Sequence, residues 1–342
     1  MDSITQASLG AAVAYASWHR QLGKPALLWG AVIGTIPDLD VLLYPVLDDI
    51  QRLYWHRGES HSFAFTVIAS FLISWLLWKK RWKDNITFYR VITGVFIVIV
   101  THITIDYFNV YGTQLLAPFS RYGFAHGNMF IIDPLYTLPL LAGIFLAGID
   151  TGKFGWKGNT AGLIISSLYV LFSMVSHTYA DYTFKQQLEE NKVVVFDSIT
   201  GATPMNTLLW RHIARTDEGI LIGYFSIIGN HPCEEISFDL VKRNDSLLAP
   251  FKDQRNVKAV KWFSQGFWVA QMQNDVVTLS DLRFGEFRSR VNAPSDEWRY
   301  IFSWKISEDP DILTRNSPSI RDSKAAIAVL WRRLIGACLP YL

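Results

Sequence analysis

Apolar runs of membrane character fill the first 180 residues of this chain and are almost absent afterwards. Inside a bilayer every backbone N–H and C=O must be satisfied within the protein, so runs of this kind fold as helices. The runs cover residues 5–18, 26–46, 62–78, 88–108, 129–149 and 160–178. The first is rich in Ala and Gly and short for a span of about 20 residues, so it is expected to be tilted, partly inserted or buried among the others. The second is interrupted by Pro37, Asp38 and Asp40. The expected fold is therefore an α-helical membrane domain of about six segments over 1–180. A mostly β soluble domain with a C-terminal helix is expected over 181–342.

Charge gives this arrangement a direction. Arg20 and Lys24 follow the first run, Lys79, Lys80, Arg81 and Lys83 the third, and Lys153 and Lys157 the fifth. The positive-inside rule assigns those loops to the cytoplasm. Loops 47–61 and 109–128 then face outward, together with everything after residue 180. The net charge of +2 is too balanced to suggest nucleic acid as a partner. Cys233 and Cys338 form no Cys-x-x-Cys pattern and read as two buried thiols. The opening Met1-Asp2-Ser3-Ile4-Thr5-Gln6 lacks a basic leader, so no removable signal peptide is expected.

Against this apolar background a few polar clusters demand an explanation. His56-Arg57-Gly58-Glu59-Ser60-His61-Ser62 stands at the foot of the third run, and Pro37-Asp38-Leu39-Asp40 interrupts the second. His102 and Asp106 stand four apart in the fourth run, on one face of a helix. A charged residue near a bilayer centre costs about 2.5–3.5 kcal/mol on insertion scales, and such residues are functional by default. All six acids and imidazoles fall on the outward face, although the topology rests on charge and hydropathy alone. Imidazoles and carboxylates gathered from several helix ends suit a zinc-type site.

Each residue also has a plainer role. His102 and Asp106 can form a satisfied polar pair between helices, and His56 and His61 can belong to a wet loop. In an extended turn Asp38 and Asp40 point opposite ways, so one ligates and the other braces, with Asp38 preferred as the brace. The permanently charged fork of Arg57 suits a substrate phosphate or carboxylate. Glu59 is either a general base or a carboxylate that orients an imidazole. His177 and Asp181 repeat the His-x-x-x-Asp spacing at the outward end of the sixth run, where a solvated helix end is an equal alternative. Asp133 precedes Pro134 and can be a helix cap. His126, Asp133 and Gln6 are left open as site members, while His19, His212 and His231 have no companions and are set aside.

Beyond residue 181 short alternating stretches predict strands, among them 192–196, 219–228, 267–272 and 300–306. The tail from Asp322 to Leu342 has a helical pattern.

Taken together, Met1 to Gly10, the Pro-Asp-Leu-Asp, the His-Arg-Gly-Glu-Ser-His-Ser, and the His-x-x-x-Asp followed by Asn109-Val110-Tyr111-Gly112-Thr113-Gln114 resemble the YdjM-like family of predicted inner-membrane, metal-dependent hydrolases. The resemblance covers 1 to about 180 closely and Pro204 to Arg211 loosely. That family is similar, distantly, to zinc-dependent phospholipase C and the single-strand-specific nucleases. The resemblance implies phosphoester chemistry, with Asp38 or Asp40, His56 or His61, His102 and Asp106 as ligands, and it raises His177 and Asp181 as a further pair. Met1 and Gln6 stand where those relatives use a terminal Trp and a nearby His, which leaves one or two ions, zinc or manganese. The implied activity is cleavage of a phosphoester in a lipid or lipid-linked substrate at the outer face of the inner membrane. The rival reading is a membrane scaffold or sensor with a structural metal, in which four protein ligands close the site. A transporter is disfavoured because the polar groups crowd one face.

Overall fold

A computed structural model of the chain describes residues 1–229, 236–273, 275–288, 294–316 and 320–335. His231, Cys233, Cys338 and the end of the expected tail helix lie outside these residues. The chain forms two compact units, Met1–Pro45 with Trp55–Met174, and Val46–Tyr54 with Val175–Leu342.

In the first unit the Ala- and Gly-rich opening becomes helix α1 (Ser3–Leu22), capped by the Asp2 carboxylate accepting from the Ile4 and Thr5 amides. Gly23 closes α1 at φ 61°, and Pro25 opens α2 (Pro25–Thr35). The two helices touch backbone to backbone. A Cβ on Gly30 would stand 2.3 Å from the Gly10 carbonyl oxygen and 2.4 Å from the Ala14 Cβ, and one on Gly34 2.9 Å from the Gly10 Cα. Small residues permit this approach where larger side chains would hold the helices apart. Past Thr35 the chain bends by 49° into a 3₁₀ turn over Pro37–Val46.

Three further apolar runs form α4 (Phe63–Leu77), α5 (Phe88–Tyr107) and α6 (Pro134–Ile149), after the short α3 (Asp49–Trp55). The sixth forms the opening part of α7 (Lys153–Glu190). Among the described residues three helices are long and apolar enough to cross a membrane, Phe63–Trp82, Phe88–Tyr107 and Lys153–Glu190, or four if the bent α2 pair makes one span. The six expected runs are thus all helical, but six spans are not established. Helix α1 is buried along much of its length, with Tyr15 and Trp18 fully enclosed. By contrast, α4 exposes Phe63, Val67 and Phe71, the kind of face that lipid covers.

The second unit carries two antiparallel four-stranded sheets. The first is β1 (Asp197–Ala202), β2 (Leu209–Arg215), β3 (Ile220–Ser226) and β4 (Phe238–Val241). The second, beyond α8 (Arg255–Phe263), is β5 (Trp268–Gln273), β6 (Val276–Phe287), β7 (Arg299–Ile306) and β8 (Leu313–Arg315), and α9 (Ile320–Leu334) follows. Three of the four expected strands are present. Residues 192–196 are not one, because β1 pairs with β2 only from Asp197 onward. Ile213, Ile222 and Val241 of one sheet share a core with Val269, Leu282 and Tyr300 of the other.

A buried ion network ties the two sheets together. Glu286 of β6 accepts from Arg211 of β2 at 2.8 Å and from Arg288 at 2.7 Å, and the Tyr224 hydroxyl donates to it at 2.9 Å. Burial alone would raise the Glu286 carboxyl, yet the two guanidiniums hold it down at about 2. An unfolded glutamate titrates near 4.3. The stability this group contributes is therefore complete above that value and is lost as pH falls toward 2.

Two outcomes follow from these contacts. Gly30→Ala should destabilise the first unit by about 1–3 kcal/mol through overpacking, read as a lower thermal midpoint in detergent. Glu286→Gln should cost about 3–5 kcal/mol by stranding two buried cations, and should flatten the acid limb of the stability profile between pH 4.5 and 2. Denaturation followed across that pH range checks both halves of the second expectation.

Candidate metal centre

Four side chains converge within the first unit. One ligand atom each from Asp38, His61, His102 and Asp106 lies within 4.8 Å of the others. Helix α5 supplies two of them, because its buried face, drawn by Val91, Val95, Val98 and Ile99, continues at the same spacing into His102 and Asp106. The loop before α4 supplies His61. Ser62 caps that helix by accepting from the Phe65 amide, and the His61 amide bonds to Gly58. The 3₁₀ turn after α2 supplies Asp38.

The spacing is that of a small coordination polyhedron. His61 Nε2 stands 3.2 Å from His102 Nε2, 3.4 Å from Asp38 Oδ1 and 3.3 Å from Asp106 Oδ2. His102 Nε2 lies 3.5 Å from Asp38 Oδ1 and 3.7 Å from Asp106 Oδ2. A tetrahedron with metal–ligand lengths of about 2.0–2.2 Å has edges of about 3.3–3.6 Å. Asp106 Oδ2 is also buried and accepts no hydrogen bond, although it faces both imidazoles. Arg57 Nε, 3.3 Å away, offsets part of its charge, and a carboxylate oxygen that receives no hydrogen bond while facing two imidazole nitrogens is a place for a further cation. The donor set therefore fits a divalent ion.

Surrounding groups orient the ligands. His102 Nδ1 is 2.6 Å from the Gly34 carbonyl oxygen. A carbonyl only accepts, so Nδ1 carries the proton and Nε2 presents its lone pair. His61 Nδ1 lies 2.9 Å from Ser60 Oγ. Asp106 Oδ1 accepts from Gln6 Nε2 at 3.0 Å and from the Met1 amino group. Arg57 is buried, with Nε 3.3 Å from Asp106 Oδ2, a bond from Nη1 to Asn109 Oδ1 at 2.9 Å, and its guanidinium over the Tyr111 ring.

Asp38 and Asp40 exchange the roles expected for them. The turn is a 3₁₀ helix with three residues per turn, not an extended strand, so alternation does not apply. Asp38 Oδ1 meets the imidazoles, while Asp40 Oδ2 accepts from the Arg57 amide at 2.9 Å and from His56 Nδ1 at 3.2 Å. His56 thus pairs with Asp40 beside the cluster. Glu59 is bound to Arg121, whose Nη1 also reaches Gln114 Oε1 at 3.3 Å.

His177 and Asp181 are not brought into the cluster. They belong to the second unit, where His177 Nε2 bonds the Thr200 carbonyl at 3.1 Å. Asp181 accepts from Thr200 Oγ1 at 2.7 Å and pairs with Lys185 at 2.8 Å. His212 shares that Thr200 hydroxyl at 2.7 Å. Asp133 caps α6 and accepts from the Tyr169 hydroxyl at 2.9 Å, and the His126 ring packs near Tyr107 and Phe108.

Residues 1–180 match the family model described as YdjM inner membrane protein. The chain belongs to the YdjM family. A relative from Bacillus subtilis, the uncharacterized protein YfhP, is 25% identical over 232 residues, covering 65% of this chain and 68% of its own. No solved structure matches the chain. The region matched to the family contains all four clustered residues, and membership together with the apolar helices supports a membrane location.

Arg121, Asn109 and the Gly34 carbonyl escape sequence reasoning. Asn109 stood inside a recognisable motif without a role, and a backbone carbonyl leaves no trace in residue identity. Metal titration of the purified chain gives a direct check. His102→Ala should abolish tight zinc or manganese binding, and Gln6→Leu should weaken it about 10–100-fold by releasing Asp106. His177→Ala and Asp181→Ala should leave it unchanged.

Proposed function

We propose that the chain is a membrane-embedded, metal-dependent hydrolase that cleaves a phosphoester of a lipid or lipid-linked substrate at the outer face of the inner membrane. The observation that carries this reading is the convergence of Asp38, His61, His102 and Asp106, with one ligand atom of each within 4.8 Å of the others. Three of these side chains are enclosed, while Asp38 is 21% exposed, which gives the cluster a side open to approach. Next to Asp38, Leu39, Val41 and Leu42 are exposed apolar residues on the same 3₁₀ turn, a lip suited to acyl chains. The outward placement rests on the distribution of Lys and Arg among the loops.

Zinc or manganese, one ion or two, would supply Lewis-acid polarisation of the phosphoryl group and a more acidic water. The chain's own residues do the rest. Asp38, His61, His102 and Asp106 hold the ion, and Arg57 keeps Asp106 in place while offsetting negative charge in the site. Asp40 fixes the backbone at Arg57 and with it the loop that carries His61. Glu59, partly exposed, ion-paired with Arg121 and two residues before His61 in the chain, is the candidate to take the proton of the attacking water.

One observation favours a second reading. Four protein side chains converge, the number that closes a structural metal site. That reading makes the protein a scaffold or sensor with a stabilising ion.

Hydrolysis of bis(p-nitrophenyl) phosphate and of defined phospholipids by the purified, metal-loaded chain separates the two. The hydrolase reading expects turnover that Asp106→Asn abolishes together with metal, and that Glu59→Gln lowers by about 10²–10⁴ with metal retained. Tight metal binding without turnover on any of these substrates, with unfolding on chelation, would establish the structural ion instead.

A further inference from the structure

The loop after α4 carries four cations in five positions, Lys79, Lys80, Arg81 and Lys83, against the single carboxylate of Asp84. Among the described residues none of the four forms an ion pair. They do not trail on a loose loop. Trp78–Trp82 is a wide helical turn that continues α4, the Trp78 indole donates to the Ile86 carbonyl at 3.1 Å, and the Asn85 and Ile86 amides both return to the Trp82 carbonyl at 3.0 Å.

This turn forms one wall of an open cleft of about 890 Å³, lined by Gln21, Trp29, Lys80, Arg81, Trp82 and Asn85 among others. Its floor is aromatic and fixed, since Trp82 is buried and meets Trp29 edge to face at 5.7 Å. The Arg81 guanidinium lies 5.8 Å from the Trp29 ring centroid. The cleft therefore combines two cations, two side-chain amides and a pair of indoles at the end of a membrane helix. Indoles favour the headgroup level of a bilayer, and basic pockets between helices at that level take anionic headgroups.

We propose that this cleft is a binding site for the phosphate of an anionic phospholipid, separate from the metal centre. Lys80 and Arg81 contact the phosphate, Gln21 and Asn85 donate to headgroup oxygens, and the indoles seat the glycerol region. The inference depends on neither the metal nor hydrolysis.

The test uses the full chain in neutral detergent, with native mass spectrometry of dioleoyl phosphatidylglycerol against dioleoyl phosphatidylcholine. Wild type should retain the anionic lipid in preference, and Lys80→Ser with Arg81→Ser should bind it roughly tenfold more weakly. Lys79→Ser with Lys83→Ser removes the same charge from outside the cleft and should retain wild-type binding. Equal loss in both double variants would mean a diffuse basic belt and overturn the site. Unchanged binding in the Lys80 and Arg81 variant would overturn it as well. Millimolar inorganic phosphate should not displace the lipid; full displacement would make free phosphate the occupant and overturn the lipid assignment. Lys80→Arg with Arg81→Lys should preserve binding, separating lost charge from lost fold.

Discussion

The first unit is organised around a conflict at the end of α5, where an apolar helix buries an imidazole and a carboxylate one turn apart. Neither group can reach water, so the surrounding structure has to answer both. It does so with elements distant in sequence: the start of α1 through Gln6, the end of α2 through the Gly34 carbonyl, and the loop before α4 through Arg57 and His61. Asp106 Oδ1 accepts from these neighbours, while Oδ2 receives no hydrogen bond and faces Arg57 Nε and the two imidazoles.

The helical half and the polar clusters were legible in the sequence because lipid-grade hydropathy and four-residue spacing are local signals. His102 and Asp106 could be placed on one buried face from numbering alone. Asp38 and Asp40 were assigned the wrong way round, since their roles depend on whether the chain turns or extends after Pro37, and it turns. The His177 and Asp181 pair shows the opposite failure. Its spacing copies the α5 pair, but its side chains are taken up by Thr200 and Lys185, partners from the second unit that spacing does not reveal. Arg57 and Arg121 show the same limit. The guanidinium nearest the imidazoles in sequence is buried on a ligand, and the more exposed one reaches Glu59 from 62 positions away.

Helix α4 links the two chemical ends of the first unit. His61 and Ser62 stand at its start, and the basic turn of Trp78–Trp82 continues from its end. At 1.5 Å per residue, a 20-residue helix spans about 30 Å, close to the hydrocarbon thickness of a bilayer. One helix thus relates a histidine-rich end to a lysine- and arginine-rich one, and its exposed Phe63, Val67 and Phe71 lie between them.

The hydrogen bond from His102 to the Gly34 carbonyl has a consequence of a different kind. Its acceptor is main chain, so no exchange of side chains at position 34 can delete it. It weakens when α2 and α5 move relative to one another, and α2 is seated in part by its close contact with Gly10 and Ala14 of α1. The basicity of a candidate ligand is in this way delegated to the fit between two helices that contribute no ligand of their own. Divergence at that glycine seam would tune affinity for the ion continuously, while every ligand stayed the same.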